Sequence, residues 1–123
     1  LAPGNYQVEI DGQVIGSWNH ITLGTKIEIQ ENEKTPQYQQ ALKVALLNQQ
    51  RNDEVVRPMR DAWGKITGMR RNVAAGKEGA NEKLESAIDS ASHLALKAKL
   101  SIEEVYKLAQ PVEHDWVIRL VED

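Results

Sequence analysis

Alternating hydrophobic and polar residues near the start of the chain predict a β-hairpin. From Tyr6 to Ile10, every second residue is apolar, which is the period of a half-buried strand. The dipeptide Asp11-Gly12 follows, and it readily takes the positive φ angles of a type I′ turn. The return strand runs from Gln13 to Trp18, and Gly16 within it indicates a bulge or bend.

The same alternation occurs in two further segments. Lys26 to Glu31 places Ile27 and Ile29 on one face, and this predicts the third strand of a meander over residues 6–31. Near the end of the chain, Trp116 to Val121 alternates again. We expect a strand over residues 115–121 that joins the meander as a fourth strand.

A helical spacing of apolar residues replaces the alternation over residues 36–109. Thr35-Pro36 is typical of a helix start, because Thr caps the first turn and Pro suits its first position. Residues 48–54 are polar and predict either a link or the weak middle of a longer helix. Pro58 then predicts a new start or a kink. The apolar stripe of the first helix is Tyr38, Ala41, Leu42, Ala45 and Leu46. Val44 and Leu47 fall outside it, which allows burial on more than one side, and a strand over Ala41–Leu47 is the alternative.

Two segments predict an antiparallel helical hairpin. Pro58 to Val73 is apolar on one side, and Ala80 to Leu100 carries a continuous stripe in which five of eight residues are Ala. The short loop GKEG joins the two helices, so we expect their apolar faces to pack together. Residues 101–104 form a capping box and predict a separate short helix.

These elements predict one α+β domain over residues 1–123. A small antiparallel sheet, made of the N-terminal meander and the C-terminal strand, would pack with a helical hairpin and two further helices. A chain of 123 residues is long enough to bury a core of its own.

Composition and charge narrow the class of partner. Residues 51–77 hold seven basic and three acidic side chains, whereas the whole chain has a formal net charge of −3. This argues against broad coating of nucleic acid and allows one local anion site or contact with an acidic surface. The chain has no cysteine, no signal peptide and no apolar run of membrane-spanning length, so we expect a cytoplasmic protein without membrane contact.

Candidate catalytic chemistry is sparse. Without cysteine, a nucleophile would have to be a Ser or Thr beside a base, and the three imidazoles, His20, His93 and His114, share no metal-type spacing. His114 beside Asp115 leaves open an enzymatic site. Three carboxylates on one helix face suit either a hard cation or, more simply, solvent: Glu82, Glu85 and Asp89. We therefore expect no enzyme, no cofactor and no metal.

A basic, glycine-bearing face of the helix 58–73 is the remaining candidate site. It consists of Arg57, Arg60, Gly64, Gly68 and Arg71. Each glycine costs a helix about 1 kcal/mol relative to Ala, so their presence calls for a reason. One interpretation is that another helix lies against them across an oligomer interface. A second is that an anion binds the arginines. The third is that the glycines are neutral drift or the helix is irregular there.

Two segments resemble parts of phage proteins. VEIDGQVIGSW (8–18) with LGTKIEIQE (23–31) looks like the opening hairpin of contractile-phage tail-tube proteins, over about a fifth of the chain. The helical pair from Arg60 to Leu100, ending EKLESAIDSASHLALKAK, is similar in pattern to the helical hairpin of phage anti-defence proteins that sequester cyclic nucleotide signals. Both resemblances imply a phage-encoded protein.

The sequence thus predicts a non-catalytic binding or assembly protein that acts as a homo-oligomer through the basic helix face. The alternative is a protein that binds or sequesters a small anionic ligand, nucleotide-like, or a nucleic acid through the same arginines. A protein partner other than a second copy is compatible with both.

Overall fold

A computed structural model describes residues 1–121 of the chain and has an α+β fold. The elements in order are β1 (Asn5–Ile10), β2 (Gln13–Asn19), α1 (His20–Thr25), a 3₁₀ turn (Ile29–Glu31), α2 (Pro36–Arg51), a π-helical turn (Asn52–Val56), α3 (Arg57–Ala74), α4 (Ala80–Leu108) and β3 (Trp116–Val121). The chain divides into two compact units, and the prediction of one domain stays a prediction. The first unit is Leu1–Lys43 with the chain from Ala109 on, and the second is Val44–Leu108.

The first unit is built on a three-stranded antiparallel sheet in the order β2-β1-β3. The predicted turn is confirmed, because Asp11 and Gly12 both have positive φ, +51° and +79°. The bulge is confirmed as well: Val8 pairs with Gly16 and Glu9 with Val14, so one residue of β2 is left over. The indole of Trp18 lies over Gly16, where a Cβ would stand.

The core of this unit lies on one face of β1 and β2. Val8, Ile10 and Ile15 are buried there, and Trp18 and Leu23 pack against them. The segment before β1 is tied to the start of α1, since the N–H of His20 donates to the carbonyl of Gly4 at 2.9 Å. The apolar face of β1 and β2 is therefore covered by side chains of the first unit.

The predicted third strand of the meander, Lys26 to Glu31, is wrong. The side chain of Asn19 accepts a hydrogen bond from the N–H of Thr22 at 2.8 Å and caps α1, so the chain leaves the sheet as a helix. The segment that follows ends in the 3₁₀ turn. The open edge of β1 pairs with β3 instead, so the C-terminal strand is the third strand of the sheet and not a fourth.

Thr35 starts α2 as the sequence predicts. Its hydroxyl accepts from the N–H of Tyr38 at 3.2 Å and donates to the carbonyl of Asn32 at 2.8 Å. Thr35 is fully buried, and both capabilities of its hydroxyl are used. The first turn of α2 is therefore fixed by a satisfied polar group inside the first unit.

The second unit is a set of packed helices with no loop at Asn48 to Glu54. The N–H of Arg57 bonds to the carbonyl of Asn52, five residues back, which defines the π-helical turn. Pro58 has no N–H, and its ring would clash with the carbonyl of Glu54 in a regular helix. The wider turn accommodates the ring, and Arg57 keeps helical φ and ψ angles of −63° and −51°, so no new helix start occurs at Pro58.

The inward face of α2 differs from the predicted stripe. Leu42 and Leu46 are 42% and 56% exposed, whereas Leu47 is half-buried. Two hydrogen bonds of Arg51 explain the difference in the second unit. Its Nε lies 3.1 Å from Oγ of Ser101, and its Nη2 lies 3.1 Å from the carbonyl oxygen of Ala98, so the side of α2 that carries Arg51 faces α4.

The antiparallel pairing of α3 with α4 is confirmed. Gly76 ends α3 with φ of +69°, and the N–H groups of Gly76 and Lys77 bond back to Val73 and Asn72, a Schellman cap. All members of the Ala-rich stripe are buried or half-buried: Ala80, Leu84, Ala87, Ile88, Ala91, Leu94, Ala95 and Ala98.

The separate helix predicted at residues 101–104 is wrong, because α4 continues through them to Leu108. The hydroxyl of Ser101 donates to the carbonyl of Ala98 at 3.0 Å rather than capping a new helix. Its oxygen also receives the Arg51 guanidinium, so both of its functions are used within the unit.

Candidate functional site

Helix α3 brings the five predicted site residues onto one exposed face. Their spacings of three and four residues return to the same side of a helix over about 21 Å. All five are exposed, whereas Ile66 on the opposite side is buried. We call this surface the α3 basic face: Arg57, Arg60, Gly64, Gly68 and Arg71.

The two glycines lie bare on this face. A Cβ at Gly64 or Gly68 would meet no atom within 4 Å among the described residues. Packing within the described chain therefore does not require glycine at either position, although each glycine lowers helix stability by about 1 kcal/mol relative to Ala. The helix backbone is left accessible to a close neighbour.

The three arginines of the face differ in whether they form ion pairs. Arg57 forms an exposed ion pair with Asp53 at 3.0 Å, of a kind worth less than about 1 kcal/mol. Arg60 and Arg71 form no ion pair with any of residues 1–121. Beside Arg60 lies a shallow depression of about 400 Å³, lined by Asn52, Val56, Arg57, Arg60 and Asp61.

A second concavity, missed by the sequence reasoning, lies between the end of α2 and the later part of α4. It is a groove of about 490 Å³, and Arg51 is one of its lining residues. Because that guanidinium is already bonded to α4, it acts first as a structural tie. Its apolar lining residues are Leu47, Val55, Leu96 and Leu100, and the others besides Arg51 are polar or charged: Gln50, Glu54, His93, Lys97, Ser101 and Glu104.

Two of the imidazoles have local structural partners. Nδ1 of His20 accepts from the N–H of Gly4 at 3.2 Å, which explains its position at the start of α1. His93 is exposed on α4, and its Nδ1 lies 2.8 Å from the carbonyl oxygen of Asp89 one turn earlier. Neither arrangement needs a ligand.

His114 forms a pair that the sequence reasoning did not predict. Its Nδ1 lies 2.7 Å from Oδ2 of Asp11, and its side chain is 12% exposed. The other carboxylate oxygen of Asp11 accepts from the N–H of Asp115 at 2.9 Å. The hydrogen bond from His114, and then the one from Asp115, lower the pKa of Asp11. A carboxylate on Nδ1 is the arrangement that orients an imidazole, and within residues 1–121 it closes the start of β3 onto the β1–β2 turn.

Within residues 1–121, no three His, Asp or Glu side chains come together as ligands would. None of the helices in that part of the chain is long and apolar enough to cross a bilayer. The cytoplasmic location stays a prediction.

The fold is similar to part of an enzyme. A solved structure of a gut microbial diltiazem-metabolizing enzyme superimposes with a TM-score of 0.67 and 25% sequence identity, covering 97% of this chain and 32% of that one. The chain thus spans about a third of the length of the structure it matches. No protein-family model matches the chain, and no curated protein matches it significantly.

This similarity overturns the prediction that the protein is not an enzyme. That prediction depended on the lack of catalytic motifs in 123 residues. A region that corresponds to a third of an enzyme need not carry the reacting groups, because an active site can draw them from the remainder. The phage resemblances and the role of the α3 basic face are tested by neither finding.

Proposed function

We propose that the chain is one region of an enzyme subunit, in which it serves binding and assembly. The observation that carries the proposal is the match of 97% of this chain to a third of an enzyme, at 25% identity. A TM-score of 0.67 across both units of this chain supports a shared fold. The α3 basic face supplies the binding surface, and its partner is a second copy of the chain.

The bare glycines support a helix as the partner of this face. Small residues one turn apart allow two helix backbones to approach closely, as in small-xxx-small packing. The open space at Gly64 and Gly68 is compatible with such an approach. The exposed acidic side of α4 has the complementary charge for the arginines in a second copy, through Glu82, Glu85 and Asp89.

Light scattering across a concentration series tests self-association. We expect the protein to exceed monomer mass at high micromolar concentration and Gly64→Leu to return it to monomer, because Leu fills the approach. Gly24→Leu is the matched control, since that glycine of α1 also has open space and no positive φ. Circular dichroism verifies that each variant is folded. A monomer whose mass is unaffected by Gly64→Leu contradicts this part of the proposal.

A turnover assay tests the proposal that the chain is a region of an enzyme. The full gene product that carries this sequence is incubated with diltiazem, the compound named for the structural neighbour, and loss of the drug is followed by mass spectrometry. We expect turnover by the full product and none by residues 1–123 alone. Absence of turnover, with diltiazem and with a panel of related small organic substrates, contradicts it.

Anion binding is the second candidate function of the α3 basic face, favoured by the unpaired state of Arg60 and Arg71 within residues 1–121. The two residues are eleven positions apart, or about 16 Å along the helix. A ligand that contacts both is therefore extended, such as a nucleic acid strand. A nucleotide-sized anion would instead occupy the depression beside Arg57 and Arg60.

Thermal-shift measurements distinguish these ligands. We expect Arg60→Glu to abolish stabilisation by a nucleotide or cyclic nucleotide and Arg71→Glu to leave it unchanged, whereas both variants weaken the effect of an oligonucleotide. No stabilisation by any of these probes contradicts the second candidate.

A further inference from the structure

The sheet of the first unit is covered on only half of its apolar face. In the register of β1 with β3, Tyr6 opposes Leu120, Val8 opposes Ile118 and Ile10 opposes Trp116. Residues directly opposite in an antiparallel pair project to the same side. The three on β1 are at most 7% exposed, whereas Leu120, Ile118 and Trp116 are 52%, 49% and 46% exposed. We call these last three residues the β3 ladder.

Strand β3 lacks the features that normally protect an edge strand. Its sequence, WVIRLV, has one charge and no proline. The charge belongs to Arg119, whose guanidinium forms an ion pair with the carboxylate of Glu9 at 3.5 Å. An apolar strand at the edge of a sheet is a template for association, so natural proteins cover, shorten or charge it. Among the described strands, none lies on the outer side of β3.

We propose that the β3 ladder is the docking surface for the rest of the enzyme chain, which presents apolar side chains to it. This inference rests on the proposed enzyme membership. The similar enzyme is about three times as long as this chain, so two thirds of such a polypeptide lies outside the matched region and is available as the occupant. The chemistry fits an intramolecular contact, because permanent contacts are the most apolar ones.

A second copy is the other conceivable occupant of the ladder. The face proposed for self-association, however, belongs to the second unit and is basic, whereas the ladder belongs to the first unit and is apolar. The two surfaces therefore have different chemistries and suit different partners. The β3 ladder is assigned to the longer chain and the α3 basic face to the second copy.

Cysteine labelling tests this assignment, because the chain has no cysteine of its own. Ile118→Cys is placed in the 123 residues alone and in the full gene product, and its rate of reaction with a maleimide is measured by mass spectrometry at that peptide. We expect the rate in the full product to be at least tenfold lower. Arg119→Cys, the next residue on the opposite face of β3, is the matched control, and its rate should be similar in both contexts.

Each other result overturns the inference. Equal rates at Ile118→Cys in the two contexts show that no chain outside the 123 residues covers the ladder, and equal slowing at Arg119→Cys shows burial of the whole strand. Slowing in the 123-residue chain that increases with its concentration assigns the ladder to a second copy. Failure of the enzyme proposal is distinguishable, because it appears as lost turnover whether or not Ile118→Cys is protected.

Discussion

Nδ1 of His114 lies 2.7 Å from Oδ2 of Asp11, across 103 positions of sequence. The backbone strengthens the link, because the N–H of Asp11 donates to the carbonyl of Asp115 at 2.8 Å while the Asp11 side chain accepts from the N–H of Asp115. The β1–β2 turn and the start of β3 are thus joined by side chain and main chain together. The last strand of the sheet is positioned by this junction.

The lowered pKa of Asp11 should make the free energy of unfolding of the first unit decrease at acidic pH. Its pKa is lowered in the folded chain, first by the hydrogen bond from His114 and then by that from Asp115. A lowered folded pKa gives stability that is complete above the ordinary value of 3.8 and is lost as the pH falls through the folded pKa. We expect Asp11→Asn to be less stable than the parent at pH 6 and equally stable near pH 2, as measured by urea unfolding. A constant difference at all pH values would contradict this explanation.

Two glycine substitutions should have opposite effects on the free energy of unfolding. Gly64→Ala removes a glycine from a helix interior with open space at the Cβ, and we expect a gain of about 1 kcal/mol. Gly76→Ala also has open space, but its φ of +69° strains any other residue, and we expect a loss of about 1 kcal/mol. Urea unfolding at low protein concentration measures both without self-association. A loss at Gly64→Ala would indicate a neighbour on the α3 basic face even in the monomer.

Arg51 should be essential to the packing of α2 on α4 within the second unit. Its guanidinium reaches Ser101 and the carbonyl of Ala98 with different nitrogens, and a lysine ammonium cannot reproduce that fork. We expect Arg51→Lys to lower the free energy of unfolding by about 1–2 kcal/mol. The exposed Arg70 is the matched control, and Arg70→Lys should change it by less than about 0.5 kcal/mol. Equal effects of the two substitutions would exclude a specific role for the fork.

Thr35 should show that a hydroxyl, and not only volume, fixes the start of α2. Thr35→Val keeps the shape but removes the bonds to Tyr38 and Asn32, and we expect a loss of about 2 kcal/mol. Thr35→Ser keeps both bonds and removes one buried methyl group, so its loss should be about 0.8 kcal/mol. Thermal and urea unfolding give the order of the two variants. The reverse order would show that packing dominates at this position.

Local signals made the first hairpin and the paired helices predictable. The turn at Asp11-Gly12, the cap at Thr35 and the apolar period of α4 each act within a few residues, and each is confirmed. The five residues of the α3 basic face are likewise brought together by helical periodicity alone. Their placement is confirmed, and their function stays a prediction.

The misassigned elements depend on distant partners. Alternation at Lys26 to Glu31 indicated a strand, but whether a strand forms there depends on which segment takes the edge of β1, and β3 takes it from the far end of the chain. The capping box at residues 101–104 failed for a similar reason, because Ser101 is bonded to Arg51, fifty positions earlier. Periodicity carries no information on such competition.

The pair of Asp11 and His114 could have been found by extending the strand register. Once Ile10 opposes Trp116, the next residues outward are those of the turn and those just before β3. That step requires the strand pairing to be known first. The similarity to part of an enzyme could not have been found from periodicity, because it is a likeness of the whole fold at 25% sequence identity.

The π-helical turn before Pro58 sets the angular phase of everything that follows it in the second unit. A regular helix advances 100° per residue. The turn holds one extra residue, so α3 is rotated by about 100° from the direction that a regular helix through the same residues would give it. The direction in which Arg60 and Gly64 point is thus determined by a proline that contacts neither of them. Deleting one residue from Asn52–Val56 would convert the π-helical turn into a regular helical turn and leave the α3 basic face pointing in its present direction.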